Sequence, residues 1–99
     1  MIAYTSQLPH ALAVAYVLLA GGRDPLPFSA GSYRDVSRVA AINAEMWAEL
    51  FLANSGALAG EIEGLIHHME NILGTIKAGD RQGLVEALSA AAKAREERL

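Results

Sequence analysis

Apolar residues recur at helical spacing along nearly the whole chain. From Asn54 to Ala78, the residues Leu58, Ile62, Leu65, Ile66, Met69, Ile72, Leu73 and Ile76 follow at steps of three, four and one. With 3.6 residues per turn all eight fall on one stripe, and Glu61, Glu63, His68 and Lys77 lie off it. Gly79 reads as a left-handed stop and Asp80 as the cap of a last helix. That helix should turn Leu84, Val85, Leu88, Ala91 and Ala92 inward and end in a solvated tail, Lys93 to Arg98.

The first half is less regular. Leu8 to Ala20 is apolar nearly all round, which predicts a helix buried on most sides. Pro9 removes a backbone donor and crowds the residue four before it. Either the helix starts near Ser6, or it begins earlier and bends at the proline. Gly21-Gly22 should end it, and Arg23 to Gly31, with two prolines and a glycine, reads as a loop. Ser32-Tyr33-Arg34-Asp35 fits a capping box ahead of a short helix to about Ala41. Asn43 reads as the cap of another helix. The pattern thus predicts an all-α fold of five helices, at about 4–20, 33–41, 44–53, 55–78 and 81–97, packed as a bundle-like domain. No stretch alternates polar and apolar long enough to make a strand.

Composition narrows what such a domain can do. Ninety-nine residues make a single domain, 1–99. At 53% apolar residues the chain is too hydrophobic for intrinsic disorder. Only 19% of residues are charged, so apolar surface should remain for a partner. There is no cysteine, which excludes a disulfide framework, a thiolate nucleophile and a cysteine-ligated zinc. The net charge of −3 and the scattered basic residues argue against nucleic acid as a partner. Ala11 to Ala20 is too short for a membrane span, which needs roughly 20 residues. It has no preceding Lys or Arg, as a signal peptide would, so a soluble, cytoplasmic protein is expected. His67 and His68 are adjacent, so on a helix they point about 100° apart and do not share a metal.

Two blocks are more specific. The first is Ala3-Tyr4-Thr5-Ser6-Gln7-Leu8-Pro9-His10. The second runs from Phe28 through Gly31, Arg34-Asp35-Val36-Ser37-Arg38 and Met46-Trp47 to Phe51-Leu52-Ala53-Asn54. In order and spacing they resemble the C-terminal helical domain of prephenate dehydrogenases, which show T-S-H/Q-L-P-H, a glycine-containing loop, R/K-D-x-T/S-R, a tryptophan and F-L-x-N. The resemblance covers the whole chain. It implies a substrate-binding and dimerisation domain, interlocked as a homodimer. An N-terminal Rossmann domain, absent from this chain, would bind NAD (or NADP) and carry the catalytic histidine. The implied reaction is oxidative decarboxylation of prephenate (or arogenate), without turnover by this chain alone.

The resemblance assigns substrate-binding roles to His10, Arg38, Gly31, Ser6 and Trp47, and no catalytic, cofactor or metal residue in this chain. Arg38 lies between Val36, Val39 and Ala40, an awkward place for an idle guanidinium, and its planar fork suits one of the substrate's two carboxylates. The competing reading pairs it with Asp35. His10 either hydrogen-bonds substrate, with Ser6 one turn earlier on the same face, or is a core histidine. Trp47 is either an apolar wall of the pocket beside Met46 or plain core. Gly31 permits close backbone approach or a positive φ. Gln7, where many members have histidine, keeps a donor but cannot be charged. The alternative function is a stand-alone helical interaction module without catalytic activity. That module explains the amphipathic helices equally well, but neither the arginine between valines nor the Pro-His entrance.

Overall fold

The computed structural model describes residues 2–20 and 31–98, with the side chains of residues 31–33 left aside. Apart from the short turns between helices, the described residues are helical, with no strand among them. A π-helical turn, Ala3–Gln7, leads into α1 (Leu8–Ala20), followed by α2 (Gly31–Arg38), α3 (Ala44–Ala53), α4 (Ser55–Ala78) and α5 (Arg81–Arg98). The backbone groups into two compact units, residues 1–62 and 63–99, and α4 runs through both.

In the first unit the helix begins before Ser6, already at the π-helical turn, rather than near Ser6. The Leu8 amide donates to the Ala3 carbonyl, five residues back. This wider turn lies just where Pro9 brings a missing donor and a bulky ring into the helix. Its inward positions are Ala3, Gln7 and Ala13.

Two expectations for the neighbouring segments need correction. The capping box at Ser32 does not hold, because α2 already starts at Gly31 and Ser32 is its second residue. The Gly21-Gly22 stop and the loop before Gly31 lie outside the described residues. The helix also ends at Arg38, earlier than expected, and residues up to Ile42 continue in tight turns closed by Val39 N–H to Val36 O and Ala40 N–H to Ser37 O. α2 packs against α1.

α3 starts as its sequence dictates. The Asn43 side chain accepts from the Met46 amide at 3.0 Å, satisfying one of the four amides left open at a helix start. At the other end Asn54 terminates α3, and its own carbonyl accepts from Leu58 N–H at 3.0 Å to begin α4. Leu58 is the buried anchor of α4.

In the second unit, the turn between α4 and α5 follows from three residues. Gly79 takes a φ of 63°, the left-handed conformation that glycine adopts without steric cost. The Asp80 amide then reaches back to Thr75 O at 2.9 Å and the Gly79 amide to Ile76 O at 3.1 Å, the paired bonds of a Schellman stop. The Asp80 carboxylate accepts from the Gly83 amide at 2.9 Å and opens α5.

Burial departs from the hydrophobic pattern. α1 was expected to be covered on most sides, yet Ala13 is its buried residue, while Leu12, Leu18 and Leu19 are exposed. On α4, Ile66, Met69, Leu73 and Ile76 face solvent, as do Val85 and Leu88 on α5. Long helices with so few neighbours cannot cover their own apolar faces, which is why the pattern overstated burial within one chain.

Candidate functional site

Three of the candidate residues, Ser6, His10 and Trp47, come together where the π-turn and the start of α1 meet α3. His10 sits one turn beyond the π-turn, and its ring lies flat on the Trp47 indole of α3, with centroids 3.9 Å apart and planes 20° from parallel. Trp47 in turn meets the edge of the Phe51 ring at 5.8 Å. Residues 47 and 51 are one turn apart on α3, so both aromatics share a face. Offset and edge-on aromatic contacts of this kind are worth about 0.5–1.5 kcal/mol beyond the area they bury.

The imidazole is also held by its polar edge. His10 Nδ1 lies 2.7 Å from the Ser6 carbonyl oxygen. A carbonyl can only accept, so Nδ1 carries the hydrogen. The neutral ring therefore keeps its lone pair on Nε2, the nitrogen left to meet another group. Ser6 thus contributes its backbone to the site by orienting His10. Both residues are half-buried, as is Trp47, which suits groups at the edge of a binding surface.

A second bridge, which sequence reasoning missed, lies one turn away. Gln7 is only 5% exposed, and its side-chain amide is satisfied at both ends. Nε2 donates to the Leu50 carbonyl at 3.0 Å, and Oε1 accepts from Asn54 Nδ2 at 2.9 Å. Leu50 O belongs to the last turn of α3, where carbonyls have no intrahelical partner. The Asn54 amide bonds Leu52 O and Phe51 O, so Gln7 supplies the donor that Leu50 would otherwise lack. The only sequence signal was the place of this glutamine in a motif, between Ser6 and Leu8, which does not reveal its partners.

Arg38 and Gly31 are placed differently. They are the last and first residues of α2. Arg38 is exposed and its guanidinium makes no ion pair or hydrogen bond among the described residues, so the pairing with Asp35 does not form. The structure does not join Arg38 to the His10–Trp47 pair by any direct contact among the described residues. Gly31 was expected in the loop with a possible positive φ; it is helical instead, because α2 starts there. Met46, the suggested companion of Trp47, is half exposed, at 50%. Among the described residues no three His, Cys, Asp or Glu side chains gather to hold a metal ion, and no helix is long and apolar enough to cross a membrane.

Comparison with known proteins follows the same lines. A solved structure of arogenate dehydrogenase from Synechocystis superposes on 99% of this chain with a TM-score of 0.87, at 22% sequence identity. The fold is thus that of an all-helical domain of the kind found within that dehydrogenase. The family described as "Prephenate dehydrogenase, dimerization domain" matches residues 1–90, and the chain belongs to that family. A cyclohexadienyl dehydrogenase from Zymomonas mobilis is 33% identical over 101 residues, covering 96% of this chain. The chain spans 34% of that relative's length and 38% of the Synechocystis chain.

Proposed function

We propose that this chain is the substrate-binding and dimerisation domain of an NAD-dependent prephenate dehydrogenase of tyrosine biosynthesis. The observation that carries the reading is the oriented imidazole. His10 is fixed against Trp47 with Nδ1–H spent on Ser6, and its Nε2 remains for a substrate oxygen. A stacked, tautomerically defined histidine suits recognition of a polar ring compound better than it suits an inert core.

In this reading the substrate's two carboxylates draw on Arg38. Its guanidinium makes no ion pair among the described residues and is therefore available for a bidentate contact. His10 Nε2 hydrogen-bonds the substrate, Trp47 forms an apolar wall, and Ser6 orients His10. Gly31, without a side chain, gives a ligand close access to the start of α2. Net chemistry in the whole enzyme removes a hydride from the ring carbon that bears the hydroxyl. The ring carboxylate leaves as carbon dioxide, its bonding pair makes the ring aromatic, and the oxygen ends as a phenol. This chain has no G-x-G-x-x-G segment and no strand among its described residues, so its side chains do not fit a dinucleotide. NAD, held by a Rossmann domain of the longer protein, supplies the hydride acceptor. The work of this domain is binding and orientation rather than proton transfer at a catalytic base.

A homodimer built through this domain is part of the same reading. The exposed Ile66, Met69, Leu73 and Ile76 of α4, with Val85 and Leu88 of α5, supply the apolar surface such an assembly buries. The same surface would also serve a stand-alone interaction module, but that alternative leaves the His10–Trp47 stack without a purpose. The deciding experiment offers prephenate and arogenate separately to the full-length protein with NAD and follows dinucleotide reduction. Oxidation of prephenate is expected. Absence of turnover with both substrates, with NAD and NADP alike, would overturn the assignment.

A further inference from the structure

We propose that Gln7 is a positioning residue for this site: its two-ended amide sets how the helix carrying His10 lies against the helix carrying Trp47. The inference rests on the substrate-binding reading of that pair given above. Gln7 is buried, and both its partners belong to the end of α3, Leu50 in its last turn and Asn54 at its terminus. His10 follows Gln7 by three residues and Trp47 precedes Leu50 by three, so each pair shares a helix face. The Gln7 bridge and the His10–Trp47 stack are therefore neighbouring rungs between the same two helices.

The bridge is directional. It needs a donor toward Leu50 O and an acceptor toward Asn54 Nδ2 at the same time, which fixes both the spacing and the sliding of one helix along the other. A stack with centroids 3.9 Å apart is sensitive to both. Apolar contacts alone do not set register in this way, because α1 and α3 offer many apolar positions of similar size. A glutamine also keeps both roles at every pH. A neutral histidine likewise offers one donor and one acceptor, whereas glutamate keeps only the acceptor and sets a negative charge against the Leu50 carbonyl.

The test has two arms. In this chain, proton NMR reads the His10 ring, whose resonances are moved upfield by the indole stacked on it. In the full-length protein, steady-state kinetics with prephenate give KM and kcat separately. Gln7→Leu should return the His10 resonances toward their unstacked positions and raise KM about tenfold, which corresponds to roughly 1.4 kcal/mol of lost binding. Gln7→His should restore both near neutral pH. In a His10→Ala background, Gln7→Leu should change KM less than twofold, because no imidazole remains to be misplaced. Asn54→Ala removes one of the two bonds and should give a smaller shift of the same kind, which keeps the test alive if Gln7→Leu does not fold.

Unmoved His10 resonances in a folded Gln7→Leu or Asn54→Ala chain would overturn the inference. So would a Gln7→Leu effect that adds in full to that of His10→Ala, since that is the behaviour of a general fold contact. A full-length protein that leaves prephenate unoxidised would sink the functional reading, and the NMR arm would still decide the positioning role.

Discussion

The imidazole of His10 and the indole of Trp47 lie 3.9 Å apart and within 20° of parallel, although they belong to different helices. This stack, with the Nδ1 bond to Ser6 O, leaves His10 neither buried among aliphatic side chains nor loose on the surface. It is held by one face and one edge and is half accessible, the arrangement of a group prepared to meet a ligand.

The stack should be measurable through Trp47, the only tryptophan in the chain. Trp47→Leu keeps an apolar side chain on α3 but removes the aromatic face. With an aromatic pair worth about 0.5–1.5 kcal/mol, prephenate KM in the full-length protein should rise about 2- to 12-fold. An unchanged KM would assign Trp47 to packing alone.

Arg38 separates binding from stability. It is exposed, lies at the end of α2 and has no ion-pair partner among the described residues. Its folding contribution is limited to a favourable position at a helix C-terminus, so Arg38→Ala should lower stability by no more than about 0.5 kcal/mol. Prephenate binding should nevertheless fall about 10- to 100-fold, since each charge-assisted bond is worth roughly 1.5–3 kcal/mol. Arg38→Lys keeps the charge without the planar fork and should recover only part of the loss. Kinetics of the full-length protein beside a thermal melt would check both halves.

The turn between α4 and α5 makes a sharper energetic prediction. A methyl group on Gly83 would run into the Asp80 carboxylate that caps α5. Gly83→Ala gains about 1 kcal/mol of helix propensity and loses a similar amount if the cap is displaced, so its net effect on stability should be small. In an Asp80→Ala background the cap is already gone, and the same substitution should then stabilise by about 1 kcal/mol. Thermal or denaturant unfolding of the four proteins in this cycle would show the non-additivity.

Self-association should depend on the exposed apolar residues of α4. Light scattering on this chain at micromolar concentration should give a mass near twice its 10.5 kDa. Leu73→Glu, at a residue 49% exposed, costs little in a single chain but sets a charge in a covered face. It should shift the mass toward that of one copy while helical content is retained. A wild-type chain of single-copy mass would remove the dimer from the proposed function.

What could be read from the amino-acid order was what depends on near neighbours. The bounds of α3 and α4 followed from the Asn43 cap, the break at Asn54 and the glycine at 79, because a cap or a left-handed stop is decided within about four residues of itself. The same locality explains the failure at Ser32: a capping pattern is short enough to occur inside a helix that starts one residue earlier. The motif also singled out His10 and Trp47 as residues of interest. Their pairing, the choice of Ser6 O as the partner of Nδ1 and the Gln7 bridge came only from the folded chain. The stack and the Gln7 bridge join segments far apart in sequence, and they depend on the register between two helices, which an apolar pattern leaves open. Burial was undecided for a related reason. A stripe such as Ile66, Met69, Leu73 and Ile76 states which face seeks cover, but whether anything covers it depends on what else is there to pack.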